Sequence, residues 1–147
     1  MSQARTILDS AGTGCLGTLD EQGHPFVSLV AIASLSPTRL AMLLSGLAIH
    51  TRNLQRNSHC SLLLTQQPGG KDQSDDPLAT ARITLTGQAT RMPRKEAQPI
   101  RERFLTRHPT ATIYADFADF SFFQFQIELV HLVAGFGRIE TFDADQL

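Results

Sequence analysis

Residues 44–65 read LSGLAIHTRNLQRNSHCSLLLT, and this stretch decides how the chain folds. An apolar strand pattern ends near Ser45, a short polar helix follows, and a second apolar strand begins near Cys60. A strand, a helix and a strand in this order place a loop and a helix N-terminus at one edge of a sheet. Because the first N–H groups of a helix have no partner within it, we expect an anion to bind there.

Five side chains close to the start of this helix could complete such a site: Ser45, His50, Thr51, Arg52 and Asn53. They supply hydroxyls, an imidazole, a guanidinium and a carboxamide. A guanidinium can bind two oxygens of a phosphate, while hydroxyl and backbone N–H groups bind the others. The cluster therefore predicts that this stretch holds an anionic cofactor.

Each of these residues also has a simpler, structural interpretation. Thr51 or Asn53 could cap the helix, and Ser45 could simply end the strand. Arg52 could belong to a solvated helical face, and His50 could be a structural hydrogen-bonding residue. Taken singly, none of the five points to a ligand, and only the cluster favours one.

The rest of the chain alternates apolar and polar residues in short runs, a pattern typical of strands. Strands are predicted over Gly14–Leu19, Phe26–Leu35, Leu40–Ser45, Cys60–Thr65, Thr80–Arg91 and Phe120–Phe142, the last divided in two by a bend or bulge near Val130. The second of these is apolar on both faces, which predicts a central strand. About six strands with hairpin-like connections predict a mainly β fold, an antiparallel barrel with short capping helices.

The remaining segments are predicted to be helices and loops. A short helix is predicted over Ser2–Ala11, and two more over Pro93–Ala115, where the excess of basic residues is typical of a solvated helix. Gln66–Ala79 is rich in Gly, Pro, Asp and Ser, which predicts an exposed loop. Asp143–Leu147 is predicted to be a polar tail.

Length and composition narrow the classes of protein to consider. A chain of 147 residues, 41% hydrophobic and 18% charged, fits a single globular domain. No apolar run approaches the roughly 20 residues that span a membrane, and the N-terminus lacks the apolar core of a signal peptide, so we expect a cytoplasmic protein. A net charge of −1 gives no drive towards nucleic acid, which leaves small molecules as expected partners.

The two cysteines, Cys15 and Cys60, lie among apolar strand residues without the paired spacing of a zinc or redox motif. Both are predicted to be small buried hydrophobic residues. No nucleophilic triad, acid–base carboxylate pair or metal-ligand set is evident either, so the sequence predicts neither catalytic side chains nor a protein-bound metal.

Four segments, in order LSGLAIHTRNLQRNSHCSLLL, ARITLTG, RERFLTRHPTATIYADFADF and VAGFGRI, resemble the pyridoxamine 5′-phosphate oxidase-like, FMN-binding split-barrel superfamily. The nearest branch is the haem-utilisation type, and the resemblance extends from Thr6 to Phe142. It implies a six-stranded split barrel that forms a homodimer, with two FMN sites in the grooves between the subunits.

The resemblance places these residues at the cofactor: Ser45, His50, Thr51, Arg52, Asn53, Arg82 and Arg138. The first five fall on the segment that contacts the phosphate, and the strand over Ser28–Ala33 would lie along the flavin ring. Arg82 could instead pair with an acid across the sheet. The glycines of the G-F-G-R segment that ends at Arg138 could mark a bulge rather than a ligand.

We consider three functions. The main hypothesis is an FMN-dependent oxidoreductase that acts on an unidentified small molecule, with the flavin supplying the electron chemistry. The alternative is a haem-binding or haem-utilisation protein, based on His50 and on Asp119, which matches an Asp near the haem pocket of haem-degrading relatives. Those relatives ligate iron with a His that follows G-F-G-R, and no His follows His131 here. A third possibility is a non-catalytic dimeric binding module.

Overall fold

The computed structural model of the protein describes residues 2–66, 76–135 and 137–147. Within these ranges the chain forms seven strands: β1 (Thr13–Leu19), β2 (Pro25–Ser36), β3 (Arg39–Ser45), β4 (His59–Thr65), β5 (Arg82–Arg91), β6 (Phe120–Val133) and β7 (Ile139–Asp143). The α-helices of the same ranges are α1 (Ser2–Ser10), α2 (Ile49–Arg56) and α3 (Gln98–Arg107). Short 3-10 helices cover Pro77–Ala79, Arg94–Glu96, Pro109–Ile113 and Ala144–Gln146.

Six of the strands close into an antiparallel barrel. The neighbours run β3-β2-β1-β4-β5-β6, and β3 pairs again with β6 to close the ring. The seventh strand, β7, pairs only with the last residues of β6, from Leu129 to Val133. The predicted mainly β, six-stranded antiparallel barrel with short helices is confirmed. No helix within the described ranges is both long and apolar enough to cross a membrane.

The barrel has two ends, which we name after the helices that lie there. At the α2 end, β3 stops at Ser45 and β4 begins at His59, and α2 joins them. At the α1 end, β1 begins at Thr13 and β4 stops at Thr65. These two ends determine which polar side chains can meet within one chain.

The main core fills the inside of the barrel with the inward-facing residues of the strands. Its largest fully buried side chains include Leu16, Ile32, Met42, Leu62, Ile83 and Phe125. The apolar face of α1, predicted from its spacing, is buried against this core through Ala4, Ile7 and Leu8. Burial of this kind stabilises by roughly 25 cal/mol per Å² of apolar surface removed from water.

A second apolar cluster lies outside the barrel, beneath α3. Ala33, Ala41 and Phe122 point outwards from β2, β3 and β6, and Ile100 and Phe104 of α3 cover them. The Phe104 and Phe122 rings meet edge to face, with centroids 5.6 Å apart. This helix therefore covers the outer face of β2, β3 and β6 over part of its length.

The last long strand differs in detail from the prediction. A bulge lies near Val130, as expected, where Thr86 pairs with Leu129 but Gly87 pairs with Ile127. A side chain on Gly87 would overlap the carbonyl of Gln126, so the close approach needs glycine. The strand does not divide there, because β6 continues through the bulge to Val133.

Three further expectations need correction or lie beyond the described residues. The segment after Asp143 is not a polar tail, because it forms a 3-10 helix whose Ala144 is buried in the main core. Cys15 is exposed rather than buried, whereas Cys60 is partly buried, and burial raises the pKa of its thiol to about 12. Residues 67–75 of the expected loop lie outside the described ranges.

We predict that Phe104→Ala will lower the free energy of unfolding by about 3–5 kcal/mol, because it removes a buried ring that joins α3 to the barrel. Urea denaturation followed by circular dichroism measures the change. Phe117→Ala is the matched control, because its ring is 53% exposed, and it should cost less than about 1 kcal/mol. Equal losses in the two variants would contradict the role given to the second apolar cluster.

Candidate functional site

The start of α2 is positioned by the turn that follows β3. Ser45 Oγ accepts the N–H of Leu47 at 3.2 Å, and the Ser45 carbonyl accepts the N–H of Ala48 at 3.1 Å. The N–H of Gly46 donates to the carbonyl of Asp119. The N-cap of α2 is Ala48, whose side chain cannot accept a hydrogen bond. No side chain in the described ranges therefore caps the first N–H groups of the helix.

Two polar side-chain atoms in the first turn of α2 are buried without a partner among the described residues: His50 Nε2 and Thr51 Oγ1. The other ring nitrogen, His50 Nδ1, lies 2.9 Å from Ser28 Oγ of β2. Burial lowers the pKa of His50, which favours the neutral imidazole. Buried polar atoms are normally hydrogen-bonded, so these two fit a site that a further group completes.

Asn53 has a structural partner instead. Its Nδ2 donates to Thr18 Oγ1 of β1 at 3.0 Å, and both residues are buried. This hydrogen bond holds α2 against the end of β1. The alternative in which Thr51 or Asn53 caps the helix is wrong, because both lie inside the helix and the N-cap is Ala48.

Arg52 projects into solvent from α2, and so does Arg56 one turn later. Neither forms an ion pair with a carboxylate of the described residues. The geometry therefore agrees with a solvated helical face while leaving the Arg52 guanidinium available to an anion at the helix start.

Arg82 and Arg138 lie at the α1 end of the barrel. Arg82 pairs in register with Thr65, whereas Gln88, six residues further along β5, pairs with His59 at the α2 end. Six residues of strand span about 20 Å. Within one chain, the structure therefore does not bring Arg82 or Arg138 to the start of α2.

The contacts of these two arginines are local. Arg82 Nη1 donates to the carbonyls of Leu78 at 2.8 Å and Thr80 at 3.2 Å, so no carboxylate across the described part of the sheet is its partner. Arg138 Nη2 lies 4.0 Å from Glu140 Oε1, and both side chains are largely in solvent. Among the described residues, the partners of Arg82 are backbone carbonyls, which do not compensate its charge.

Asp116 and Asp119, each followed by a phenylalanine, have different surroundings. Asp116 receives two hydrogen bonds from Arg101, at 2.9 and 2.8 Å. This pairing lowers the pKa of Asp116 and raises that of Arg101. Asp119 lies beside the turn that leads into α2, where its carbonyl accepts from Gly46. The Arg101 pairing could not be found from sequence, because the two residues come together only through the fold of α3.

An exposed apolar surface covers the outer face of β2, β1 and β4. Val27 is 67% exposed, Leu29 72% and Leu63 40%. Cys15 of β1 lies between two of them, paired in register with Leu29 on one side and Leu63 on the other. The sequence predicted a central strand at β2 because both its faces are apolar. β2 does have a neighbour on each side, but its first half is uncovered on the outer face.

A basic cleft of about 520 Å³ lies at the α1 end, between α1, α3 and the β2–β3 hairpin. Its guanidinium groups come from Arg5, Arg103 and Arg107. Arg5 pairs with Asp9 at 3.1 Å, while Arg103 and Arg107 donate to backbone carbonyls. The last two lie on the helix predicted to be basic and solvated, and their approach to α1 depends on the tertiary fold, which no local sequence pattern encodes.

Comparison with known proteins shows a family and several relatives. The sequence matches the family described as CREG, beta-barrel, over residues 1–146. It is 33% identical over 137 residues to the non-canonical heme oxygenase HOZ, chloroplastic, of Arabidopsis thaliana. This match covers 92% of this chain and 40% of that protein. The chain thus spans less than half the length of this curated relative.

Solved structures with a similar fold include two proteins described as binding or storing heme. A heme-binding protein from Mycobacterium smegmatis is 32% identical, with a TM-score of 0.87, and the match covers 97% of this chain and 57% of that one. HutZ, a heme storage protein from Vibrio cholerae, is 23% identical with a TM-score of 0.71, covering 86% of this chain and 89% of that one. At that identity, the second likeness is one of fold.

We predict different effects on stability for two Thr→Val variants near α2. Thr51→Val removes a buried hydroxyl that has no partner among the described residues, so the free energy of unfolding of the ligand-free protein should stay within about 0.5 kcal/mol or rise. Thr18→Val leaves the buried Asn53 amide without its acceptor and should cost about 1–3 kcal/mol. Urea denaturation measures both. A loss in Thr51→Val as large as that in Thr18→Val would mean that the Thr51 hydroxyl has a structural partner.

Proposed function

Because the chain belongs to the CREG β-barrel family, within the pyridoxamine 5′-phosphate oxidase-like superfamily, we propose that it binds haem. The membership agrees with the superfamily resemblance of the sequence. Two relatives at about one-third identity, from Arabidopsis thaliana and Mycobacterium smegmatis, are described as a heme oxygenase and a heme-binding protein. These descriptions support the haem alternative more strongly than the flavin hypothesis.

The observation that carries the proposal is the exposed apolar surface on the outer face of the barrel. Val27, Leu29 and Leu63 are uncovered on neighbouring strands, with Gly17 and Cys15 between them on β1. Contiguous exposed apolar residues of this kind mark an interaction site. A flat, apolar macrocycle is a ligand that such a face can accept without the deep pocket that a compact molecule requires.

Charge on the same face fits the carboxylates of haem. Arg82 projects from β5 on the outer side of the sheet and pairs in register with Thr65 of the neighbouring strand β4. Its Nη1 is bound to two carbonyls, and among the described residues its other guanidinium nitrogens make no hydrogen bond. An arginine held in this way can pair with a propionate. When bound, haem would supply the iron, while these residues would bind and orient the ring.

We further propose that two copies of the chain cover this face together. A planar ligand on one part of the apolar surface of β2, β1 and β4 would leave the rest exposed, and a homodimer would cover it. The ligand would then lie at the groove between the subunits. A site that used Arg82 together with the start of α2 would need both subunits.

FMN at the start of α2 is the second candidate. It is favoured by His50 Nε2 and Thr51 Oγ1, which are buried without partners in the part of the chain that the structure describes, next to N–H groups that no described side chain caps. A phosphate accepts hydrogen bonds from all of these donors, and Arg52 supplies the opposite charge. The protein would then be a flavin-dependent oxidoreductase with a small-molecule substrate. Because the two candidates use different surfaces, separate variants can distinguish them.

We predict that haemin added to the purified protein will bind with one molecule per chain and shift the visible absorption band of the haem. Leu63→Lys should weaken this binding at least tenfold, because it places a charge within the apolar face. Thr51→Val and Arg52→Ala should leave haemin affinity unchanged.

Titration with FMN under the same conditions provides the competing result. If the protein bound FMN and not haemin, and Thr51→Val and Arg52→Ala weakened that binding, the flavin hypothesis would replace the haem proposal. Absence of uptake of both ligands would favour a non-catalytic binding module.

We also predict that Leu29→Lys will convert the dimer to a monomer, because it buries a charge at the subunit contact. Analytical ultracentrifugation measures the change in mass. Ile113→Lys is the matched control, since Ile113 is 77% exposed on the 3-10 helix beyond α3 and away from this face. A wild-type monomer, or a Leu29→Lys variant that remains dimeric, would contradict the proposed interface.

A further inference from the structure

We propose that His131 supplies the nitrogen ligand to the iron of a haem bound on the outer sheet face. This inference rests on the proposed haem binding and goes beyond it, because it names the residue that holds the metal. The ligand class is an iron porphyrin, and the bond is an ordinary imidazole–iron coordination.

The register of the sheet places His131 in line with the exposed apolar surface. Going from β1 to β7, one row of directly paired residues runs through Cys15, Leu63, Thr84, His131 and Thr141. Successive strands lie about 4.8 Å apart, so Leu63 and His131 are separated by about 10 Å. Both side chains lie on the outer face, with Thr84 between them.

The sheet is open at this row. β3 closes the barrel by pairing with β6 only over Phe120–Gln126. At His131, β6 is flanked by β5 and β7 instead. The outer face here is therefore free of the α3 cluster, which covers the other half of β6.

The His131 ring is fixed by one nitrogen only. Nδ1 lies 2.8 Å from Thr141 Oγ1 on β7, and Nε2 makes no hydrogen bond to the described residues. In the tautomer in which the Nδ1–H donates to the hydroxyl oxygen, Nε2 presents its lone pair. Metal-binding histidines commonly have this arrangement, since the hydrogen bond sets both the tautomer and the ring orientation.

The other four histidines lack this combination. His50 Nε2 is buried, and His108 Nε2 lies 2.7 Å from the carbonyl of Ile32. His24 is on the β1–β2 hairpin, beside Asp20. His59 lies on the same outer face as Leu63, but its ring is not held by a described residue. His131 is thus the anchored imidazole next to the apolar face.

The position of Arg82 independently supports a haem site beside His131. It lies two residues from Thr84 along β5 and on the same face, about 7 Å away. Arg82 would therefore be close enough to pair with a propionate of a haem whose iron is held by His131. Both contacts involve neighbouring strands, so they do not require movement of the barrel.

The test is haemin binding by the full chain, compared with His131→Ala and with His59→Ala as the matched control. Resonance Raman spectra of the reduced complexes should contain an iron–histidine stretching band in the wild type and in His59→Ala, and lack it in His131→Ala. Haemin affinity should fall at least tenfold in His131→Ala alone. Addition of imidazole to the His131→Gly complex should restore nitrogen ligation.

Variants of Thr141, whose hydroxyl fixes the His131 ring, should change haemin affinity less than His131→Ala does. Thr141→Val should weaken haemin binding several-fold, while Thr141→Ser, which keeps the hydroxyl, should resemble the wild type. If His131→Ala kept the iron–histidine band and its affinity, His131 would not be the ligand although haem binding stood. If the wild type took up no haemin, the proposed function itself would be overturned, and this assignment with it.

Discussion

The structure depends on the pairing of β3 with β6. Seven residue pairs, from Arg39 with Gln126 to Ser45 with Phe120, close the ring of strands. Because β6 is twice as long as β3, only its first half takes part in this closure. The second half carries β7 and leaves an open outer face. One chain therefore has a closed, well-packed core and, beside it, a surface that no part of its described residues covers.

This division also separates the polar groups that could bind a cofactor. The start of α2, with His50 and Thr51, lies at one end of the barrel, and Arg82 lies about 20 Å away at the other. A site that uses both would need a second copy of the chain. A site that uses Arg82 and the outer sheet face would not, and this difference is the physical reason for treating haem and flavin as ligands of different surfaces.

Alternation of apolar and polar residues was sufficient to predict the barrel, because inward-facing side chains recur at every second position and hairpins join neighbouring strands. It could not predict which outward-facing residues a helix covers. Ala33 and Leu29 are both outward on β2, yet only Ala33 lies beneath α3. The cluster at the start of α2 could be located from sequence. The partner of Asn53 and the distant position of Arg82 depend on register, which no local pattern encodes.

The bulge opposite Gly87 has a consequence for the whole of β6. Before it, the inward positions are odd-numbered, as in Phe125 and Ile127, and after it they are even-numbered, as in Val130 and Leu132. One extra residue thus reverses the phase of the strand. Without it, His131 would point into the barrel core and Val130 into solvent. A single insertion in the backbone, rather than any substitution, decides which face of the strand carries the imidazole.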